Sequence, residues 1–270
     1  MEEINFNESR NLSEIIRTAV QFLKLESRNL LRYYTWWVFP LFIPLAILTY
    51  HSELHAISGL INNDMEQLEA ALPTLDWKKI WLAVLAQAFV WLVFLSVTLV
   101  YLRNYSNNKG RLLTNKEMWN ELLYEFPKIF IVQFFYISMV IFGLVSFVIP
   151  GIYFGVSLAL ATTIVVFEDS KIFHALSKSF RLIGSKWFMS LGYLFVFYLI
   201  YIGARTLLLL PVSLIAGNLA EAGEISQMNF AITSTINAII NMLASIFPIL
   251  GSVLLYHKLM KDSEISTKAR

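Results

Sequence analysis

The chain has 270 residues, of which 57% are hydrophobic and only 15% charged, and its mean hydropathy is +0.61. A soluble domain of this length could not cover so much apolar surface, so the composition excludes a soluble globular fold and predicts one integral membrane domain over residues 1–270. Cysteine is absent, which excludes disulfides and thiolate metal ligands.

Six apolar runs predict an all-α fold, a polytopic transmembrane helical bundle. A bilayer core of about 30 Å requires roughly 20 apolar residues per helix, because backbone amides must be hydrogen-bonded internally where water is missing. The predicted spans are residues 33–50, 80–102, 129–149, 151–167, 187–210 and 230–256. Only Pro150-Gly151 separates the third span from the fourth, which favours a tight helical hairpin over a broken, re-entrant pair. Pro40, Pro44 and Pro248 predict kinks in the first and last spans.

The positions of lysine and arginine predict the orientation of these spans. Eighteen of the 21 basic residues fall in four segments that alternate with the predicted external loops: residues 1–32, 103–128, 168–186 and the C-terminal tail. Basic flanks stay on the cytoplasmic side, so both termini are predicted to be cytoplasmic. The same residues predict contact with anionic lipid head groups. Because they follow the membrane topology, no nucleic acid partner is expected.

Three of the basic segments have an apolar stripe at helical spacing, which predicts cytoplasmic amphipathic helices at the membrane interface. They cover about residues 11–32, 114–126 and 170–184, and the second opens with a capping box from Thr114 to Glu117. Each precedes two spans, so the chain reads as three repeats of one helix plus two spans. Such helices either pack as elbows against the bundle or serve as docking sites for lipid or a partner.

Five polar residues fall inside the predicted spans and form a candidate intramembrane site. Arg205 is the most informative, because a charge inside a span is costly unless the side chain reaches the interface or finds a partner. The sequence leaves two alternatives for it, an extension to the outer interface or an anion or head-group site facing the bundle interior. The amides predicted to bond with it or with one another are Asn237, Asn241, Gln87 and Gln133.

Other motifs give weaker predictions. Gly151, Gly155, Ala159 and Thr163 recur every four residues and predict a small-residue face for close helix packing.

His51, Glu53 and His55 form a weak metal pattern without a third ligand, so no metal or other cofactor is predicted. Glu168 and Asp169 are predicted to cap the amphipathic helix that follows them.

The segment from residue 148 to 196 resembles a known family. It reads Val-Ile-Pro-Gly-Ile-Tyr, then an apolar span ending in Phe-Glu-Asp, then an amphipathic helix and Gly-Ser-Lys-Trp. This pattern is similar to the family named for the glycerophosphoryl diester phosphodiesterase membrane domain and its six-helix bacterial relatives. The positions that match are Pro150, Gly151, Ile152, Tyr153, Glu168, Ala175, Leu176, Ser179, Leu182, Gly184 and Trp187. In fused members the phosphodiesterase activity belongs to a separate soluble domain, so the resemblance implies a membrane module without that chemistry.

The sequence therefore predicts a non-enzymatic membrane protein, a lipid-interacting or partner-binding scaffold in envelope homeostasis. Its expected partners are membrane lipids and either another membrane protein or a second copy of the chain. The first alternative is a transporter or lipid flippase with a polar cavity around Arg205. The second is a membrane enzyme acting on lipid head groups, although no phosphate-binding loop, nucleophile elbow or catalytic triad occurs in the sequence.

Overall fold

A computed structural model describes residues 11–52, 75–107, 111–220 and 227–268. Helices take up 91% of these residues and no strand occurs among them, which confirms the all-α class. The ten α-helices in this part of the chain are α1 Leu12–Trp37, α2 Phe42–His51, α3 Trp77–Asn107, α4 Asn115–Ser146, α5 Val148–Ser157, α6 Ala161–Phe167, α7 Ile172–Gly184, α8 Trp187–Ala220, α9 Gln227–Ala244 and α10 Ile246–Lys268.

Five stretches of the described helices are long and apolar enough to cross a membrane, and a bent pair makes a sixth if it counts as one span. The five stretches are Trp77–Asn107, Asn115–Ser146, Val148–Phe167, Trp187–Ser213 and Met228–Ile265. The bent pair joins Leu12–Trp37 to Phe39–His51 at an angle of 41°. Length and apolar composition of this kind indicate an integral membrane protein.

The helix breaks in the first and last stretches lie next to the prolines that predicted them. Pro40 lies in a short 3-10 turn, Phe39–Leu41, at the bend between α1 and α2. Pro248 lies in the first turn of α10, directly after the interruption at Ser245. A first-turn proline is tolerated because its missing amide hydrogen has no acceptor there in any case.

Two of the predicted boundaries between an amphipathic helix and the span that follows it are wrong. The first two amphipathic segments are not separate helices, since α1 runs unbroken to Trp37 and α4 runs unbroken from Asn115 to Ser146 with Pro127 inside it. Polarity changes along these helices, but continuing the helix keeps the backbone hydrogen bonds intact. Only the third segment, α7, is a helix of its own.

Helices α4 and α5 form an antiparallel hairpin, with the turn earlier than predicted. The two helices are separated by a single residue with an extended backbone, Phe147. Pro150 and Gly151 therefore lie inside the first turn of α5. A side chain at Gly143 would place its Cβ 2.8 Å from the Cα and N atoms of Gly151. The two backbones therefore cross at a glycine pair, of which the sequence analysis identified only one member.

The chain divides into two compact units. Unit 1 comprises Met1–Tyr33, Leu95–Tyr201 and Ser245–Arg270. At its centre α6 packs on α4, α7 and α10, and its residues Ile164, Val165 and Val166 are fully buried. Unit 2 comprises Tyr34–Phe94 and Ile202–Ala244, and in it α2 packs on α9.

The capping box predicted at Thr114 is present. The backbone N–H of Glu117 donates to Thr114 Oγ1 at 3.3 Å, and the backbone N–H of Thr114 donates to the Glu117 carboxylate at 2.7 Å. We expect Thr114→Ala to lower the free energy of unfolding by about 1 kcal/mol, because an orphan amide of the first turn loses its acceptor. The measurement is thermal unfolding in detergent, with Thr235→Ala as the control. The Thr235 hydroxyl bonds only to Ala231 O of its own helix, so equal losses in both variants would contradict the capping role.

Candidate functional site

A cluster of charged side chains occupies unit 1 where α3, α4 and the segment after α6 meet. Arg103, near the end of α3, donates from Nη1 to Glu125 Oε1 at 2.5 Å and to the Val166 carbonyl oxygen at 3.1 Å. Its Nη2 forms an ion pair with Glu121. The Glu125 side chain is 0% exposed, so this carboxylate exchanges all its water for protein partners. Removing a carboxylate from water costs several kcal/mol unless charged partners compensate.

Lys128 supplies the second cation of the cluster. Its Nζ lies 3.5 Å from Glu125 Oε2, forms an ion pair with Asp169, and sits 3.6 Å from the centre of the Tyr124 ring. The Tyr124 hydroxyl also donates to the Asp169 carboxylate, 3.1 Å from each oxygen. The Lys128 ammonium holds the pKa of Asp169 below its usual range, which keeps this contact charged at neutral pH and confines its loss to strong acidification.

Glu168 pairs with a different cation. Both of its carboxylate oxygens accept from Lys178 Nζ at 2.7 Å, and the Tyr256 hydroxyl donates to it at 2.5 Å. The predicted capping role of Glu168 and Asp169 is therefore wrong. Residue Lys171 stands at the cap of α7, without a side-chain hydrogen bond to the helix. Lys178, on α7 itself, engages Glu168, and Lys128, on α4, engages Asp169, in place of the amides at the start of α7.

Two further links between distant helices involve charged side chains of unit 1. The Tyr101 hydroxyl donates to Glu26, which joins α3 to α1. Lys186 Nζ lies 2.5 Å from Asp262 Oδ2, which joins the start of α8 to α10. The ionic contacts of unit 1 thus connect helices that lie far apart in the sequence.

Two clefts adjoin the charged cluster. The first, of about 320 Å³, has Arg103, Glu121 and Asp169 on its wall. The second, of about 410 Å³, shares Asn107 and Phe167 with the first. It is further lined by Ser106, Tyr256, His257, Met260, Lys261 and Glu264. On the first wall Arg103 is paired with Glu121, and Asp169 is paired with Lys128, so each charged group already has a protein partner. This arrangement favours holding the helices together over chemistry on a substrate.

The residues of the family-like motif lie in the packing of unit 1. The Tyr153 and Trp187 rings are stacked, with centroids 6.0 Å apart, so the start of α8 rests on α5. Buried Ser179 donates from its hydroxyl to the Ser157 carbonyl oxygen at 2.7 Å, which ties α7 to the end of α5. Together with Pro150 in the first turn of α5, these contacts explain the motif as helix packing.

The predicted small-residue face does not form one continuous stripe. The helix is interrupted at Leu158–Leu160, between α5 and α6, so Ala159 lies in a turn. A Cβ on Gly151 would stand 2.5 Å from the Leu144 side chain, whereas one on Gly155 would meet Val140 only at 3.8 Å. Of the two glycines, only Gly151, near the turn of the hairpin, needs the absence of a side chain.

The intramembrane polar residues are divided between the units. Gln133 belongs to unit 1, whereas Arg205, Gln87, Asn237 and Asn241 belong to unit 2, and all five are half-buried. Arg205 Nε is buried and has no hydrogen-bond partner. Within the described ranges, no hydrogen bond joins Arg205 to any of the four amides, so the predicted network around it is not formed.

The weak metal pattern is only partly visible. His51 is exposed at the end of α2, and Glu53 and His55 lie outside the described residues. Among the residues that are described, no three histidine, aspartate or glutamate side chains are grouped as metal ligands.

Sequence reasoning assigned Arg103 and Lys128 to membrane orientation only, and gave Glu121 and Glu125 no role. A signal was available, because Glu121, Glu125 and Lys128 lie four and three residues apart and therefore share one face of a helix. An acidic pair on the face of a helix that continues into an apolar run predicts a cationic partner elsewhere in the chain.

Fold and cluster together define an all-helical membrane protein with an ion-paired polar region in one unit. No protein-family model, curated protein or solved structure matches the chain.

Proposed function

We propose that this chain is a non-enzymatic integral membrane module that binds lipid and a membrane protein partner, or a second copy of itself, and helps to maintain a bacterial inner membrane. In this proposal it crosses the bilayer six times with both termini in the cytoplasm. The three amphipathic segments lie at the cytoplasmic interface, and the resemblance of residues 148–196 to a family of membrane modules is consistent with such a role.

The exposed apolar surface is the observation that carries the proposal. Only 6% of the most apolar stretch of Trp187–Ser213 is buried, and the corresponding share for Asn115–Ser146 is 17%. Apolar helical surface of this extent is stable against acyl chains or another membrane helix, but not against water. The carboxylates of the charged cluster are meanwhile engaged by Arg103, Lys128 and Lys178, which supports a structural use for them.

Helix α7 supports contact with lipid head groups. Its inner face, with Ala175, Ser179 and Ile183, is buried in unit 1. Its outer side exposes Arg181 and a Phe173 side chain that is 72% exposed. A basic residue beside an exposed aromatic one is typical of a helix at the head-group boundary, where the ring enters the acyl chains and the cation meets the phosphates.

Reporters on the two termini test the topology. A fluorescent protein that folds only in the cytoplasm is expected to be bright at either end, and a phosphatase that is active only outside is expected to be silent at both. A phosphatase fusion in the segment 53–74 is the matched positive control and should be active. Activity at either terminus would contradict the six-span arrangement.

Copurification tests the role. We expect the wild-type protein, extracted in mild detergent, to retain anionic phospholipid together with a membrane protein or a second copy, as identified by mass spectrometry. A lipid-free, monomeric protein that carries solute across vesicles would favour the transporter alternative. Turnover of lipid head groups by the purified protein would favour the enzyme alternative.

A further inference from the structure

Arg205 has an unsatisfied guanidinium nitrogen inside an apolar helix. Its Nε is buried without a hydrogen-bond partner, and among the described residues no carboxylate forms an ion pair with it. The residue as a whole is half-buried, so part of the side chain stays accessible. Because Nε itself is enclosed, a ligand from outside the chain can reach only the accessible part of the guanidinium, and a charge inside an apolar helix is costly until such a partner neutralises it.

The position of Arg205 along α8 sets the depth at which that ligand lies. Arg205 comes eighteen residues after Trp187, or about 27 Å along a helix that rises about 1.5 Å per residue. The polar contacts next to Trp187, where Lys186 pairs with Asp262, mark one end of the span. Because the hydrocarbon core is about 30 Å thick, Arg205 lies within one helical turn of the opposite head-group layer.

The surroundings of Arg205 indicate from which side the ligand arrives. Ile202, Leu207 and Leu208 are exposed apolar side chains on the same stretch of α8, and Leu207 is 69% exposed. Neither of the two clefts of unit 1 contains Arg205. Access from among exposed leucines suits a ligand that is itself in the bilayer, and a planar guanidinium suits a phosphate, which accepts two parallel hydrogen bonds from it.

We propose that Arg205 binds the phosphate of a phospholipid in the leaflet opposite to Trp187. This inference rests on the proposed function, since it requires α8 to cross the bilayer. It adds to that proposal a defined lipid site on the face away from the basic segments. Arg205 is the binding residue, and the exposed leucines hold the acyl chains beside it.

Native mass spectrometry of the whole chain tests the proposal. The protein is extracted in mild detergent with phosphatidylglycerol at stated ratios, and lipid-bound species are counted for the wild type, Arg205→Leu, Arg205→Gln, Arg205→Lys and the control Lys79→Leu. Lys79 is a half-exposed lysine in the first turn of α3, outside the four basic segments, and its ammonium is paired with Asp76 at 3.2 Å. A parallel series contains excess inorganic phosphate.

We expect Arg205→Leu and Arg205→Gln to bind one fewer phosphatidylglycerol at low lipid, with affinity about tenfold weaker, the size of one charge-assisted hydrogen bond. Arg205→Lys should fall in between, because an ammonium cannot form the paired bonds. Lys79→Leu should match the wild type, and inorganic phosphate should not displace the lipid.

Equal lipid binding by the wild type and Arg205→Gln would overturn the Arg205 site and leave the proposed function standing. Displacement by inorganic phosphate would also overturn it, since the site would then take a soluble anion. If the wild type retained no lipid at all, the proposed function would fail as well. Arg205→Gln keeps the side chain polar and Arg205→Lys keeps it charged and nearly as long, so the test does not depend on whether Arg205→Leu folds.

Discussion

Replacing Glu125 with alanine is expected to lower the free energy of unfolding by about 3 kcal/mol, the largest effect of any single change in the charged cluster. Glu125 is fully buried and accepts from Arg103 at 2.5 Å, with Lys128 at 3.5 Å. Its loss leaves two cations in a desolvated setting without their shared partner. The expected decrease in unfolding free energy is near the lower end of the range for a broken buried ion pair, because Arg103 is still paired with Glu121 and Lys128 is still paired with Asp169.

Thermal unfolding of the purified protein in detergent, followed by tryptophan fluorescence, measures this loss. The matched control is Glu121→Ala, which removes the other carboxylate bound to Arg103, one that is 42% exposed. An exposed pair contributes only about 0–1 kcal/mol, so this control should stay close to wild type. The double replacement Arg103→Leu with Glu125→Leu should recover much of the loss, because it removes both buried charges together. Equal effects of Glu125→Ala and Glu121→Ala would contradict the role assigned to burial.

Replacing Gly251 with alanine is the second change expected to have a large effect. The added Cβ would lie 2.5 Å from Cγ of Phe197 and within 2.9 Å of both Cδ atoms. Turning the ring about χ2 leaves Cγ in place, and Phe197 is only 1% exposed, so packed neighbours oppose a change of χ1. Overpacking of this kind costs about 1–3 kcal/mol, because neighbouring helices must move apart.

Gly192→Ala provides the control on the helix that carries Phe197. A Cβ at Gly192 meets nothing within 4 Å, so this variant should be as stable as the wild type or slightly more stable. The double variant Gly251→Ala with Phe197→Ala should lose less unfolding free energy than the sum of the two single variants. Removing the Phe197 ring removes the clash with the methyl group added at position 251, and that methyl group fills part of the space that the ring leaves. Additive effects, or a harmless Gly251→Ala, would argue against this helix contact.

The positions of the helices could be predicted from the sequence because the requirement behind them is local. Each apolar run has to bond its own backbone amides in lipid. Five described helical stretches are long and apolar enough to cross a membrane, or six if the bent pair Leu12–Trp37 and Phe39–His51 counts as one span. Helix ends were less predictable. The boundary expected between residues 126 and 129 does not exist, because α4 continues through Pro127, whereas Phe147, which has no turn-forming side chain, ends that helix.

The charged cluster could not be predicted, because its members are brought together only by packing. Arg103 and Glu121 are separated by 18 positions, and Arg103 and Val166 by 63. The sequence predicted that Arg103 and Lys128 lie on the basic side of the membrane but did not identify their partners. It predicted that Glu168 caps a helix, whereas Glu168 accepts hydrogen bonds from Lys178. Arg205 shows the opposite outcome: its cost inside an apolar helix was evident from the sequence, but the structure shows that the amides predicted to bond with it do not.

The sequence by itself determined that this chain is helical, apolar enough for a membrane, and punctuated by prolines where its first and last stretches break. Hydrogen bonding and hydrophobicity act within single helices, so local patterns suffice for those properties. Only the tertiary structure decided that Glu125 is buried between Arg103 and Lys128, that Gly143 crosses Gly151, and that Arg205 Nε is left unbonded. Those features depend on which side chains of distant helices meet, and no spacing along one helix specifies that.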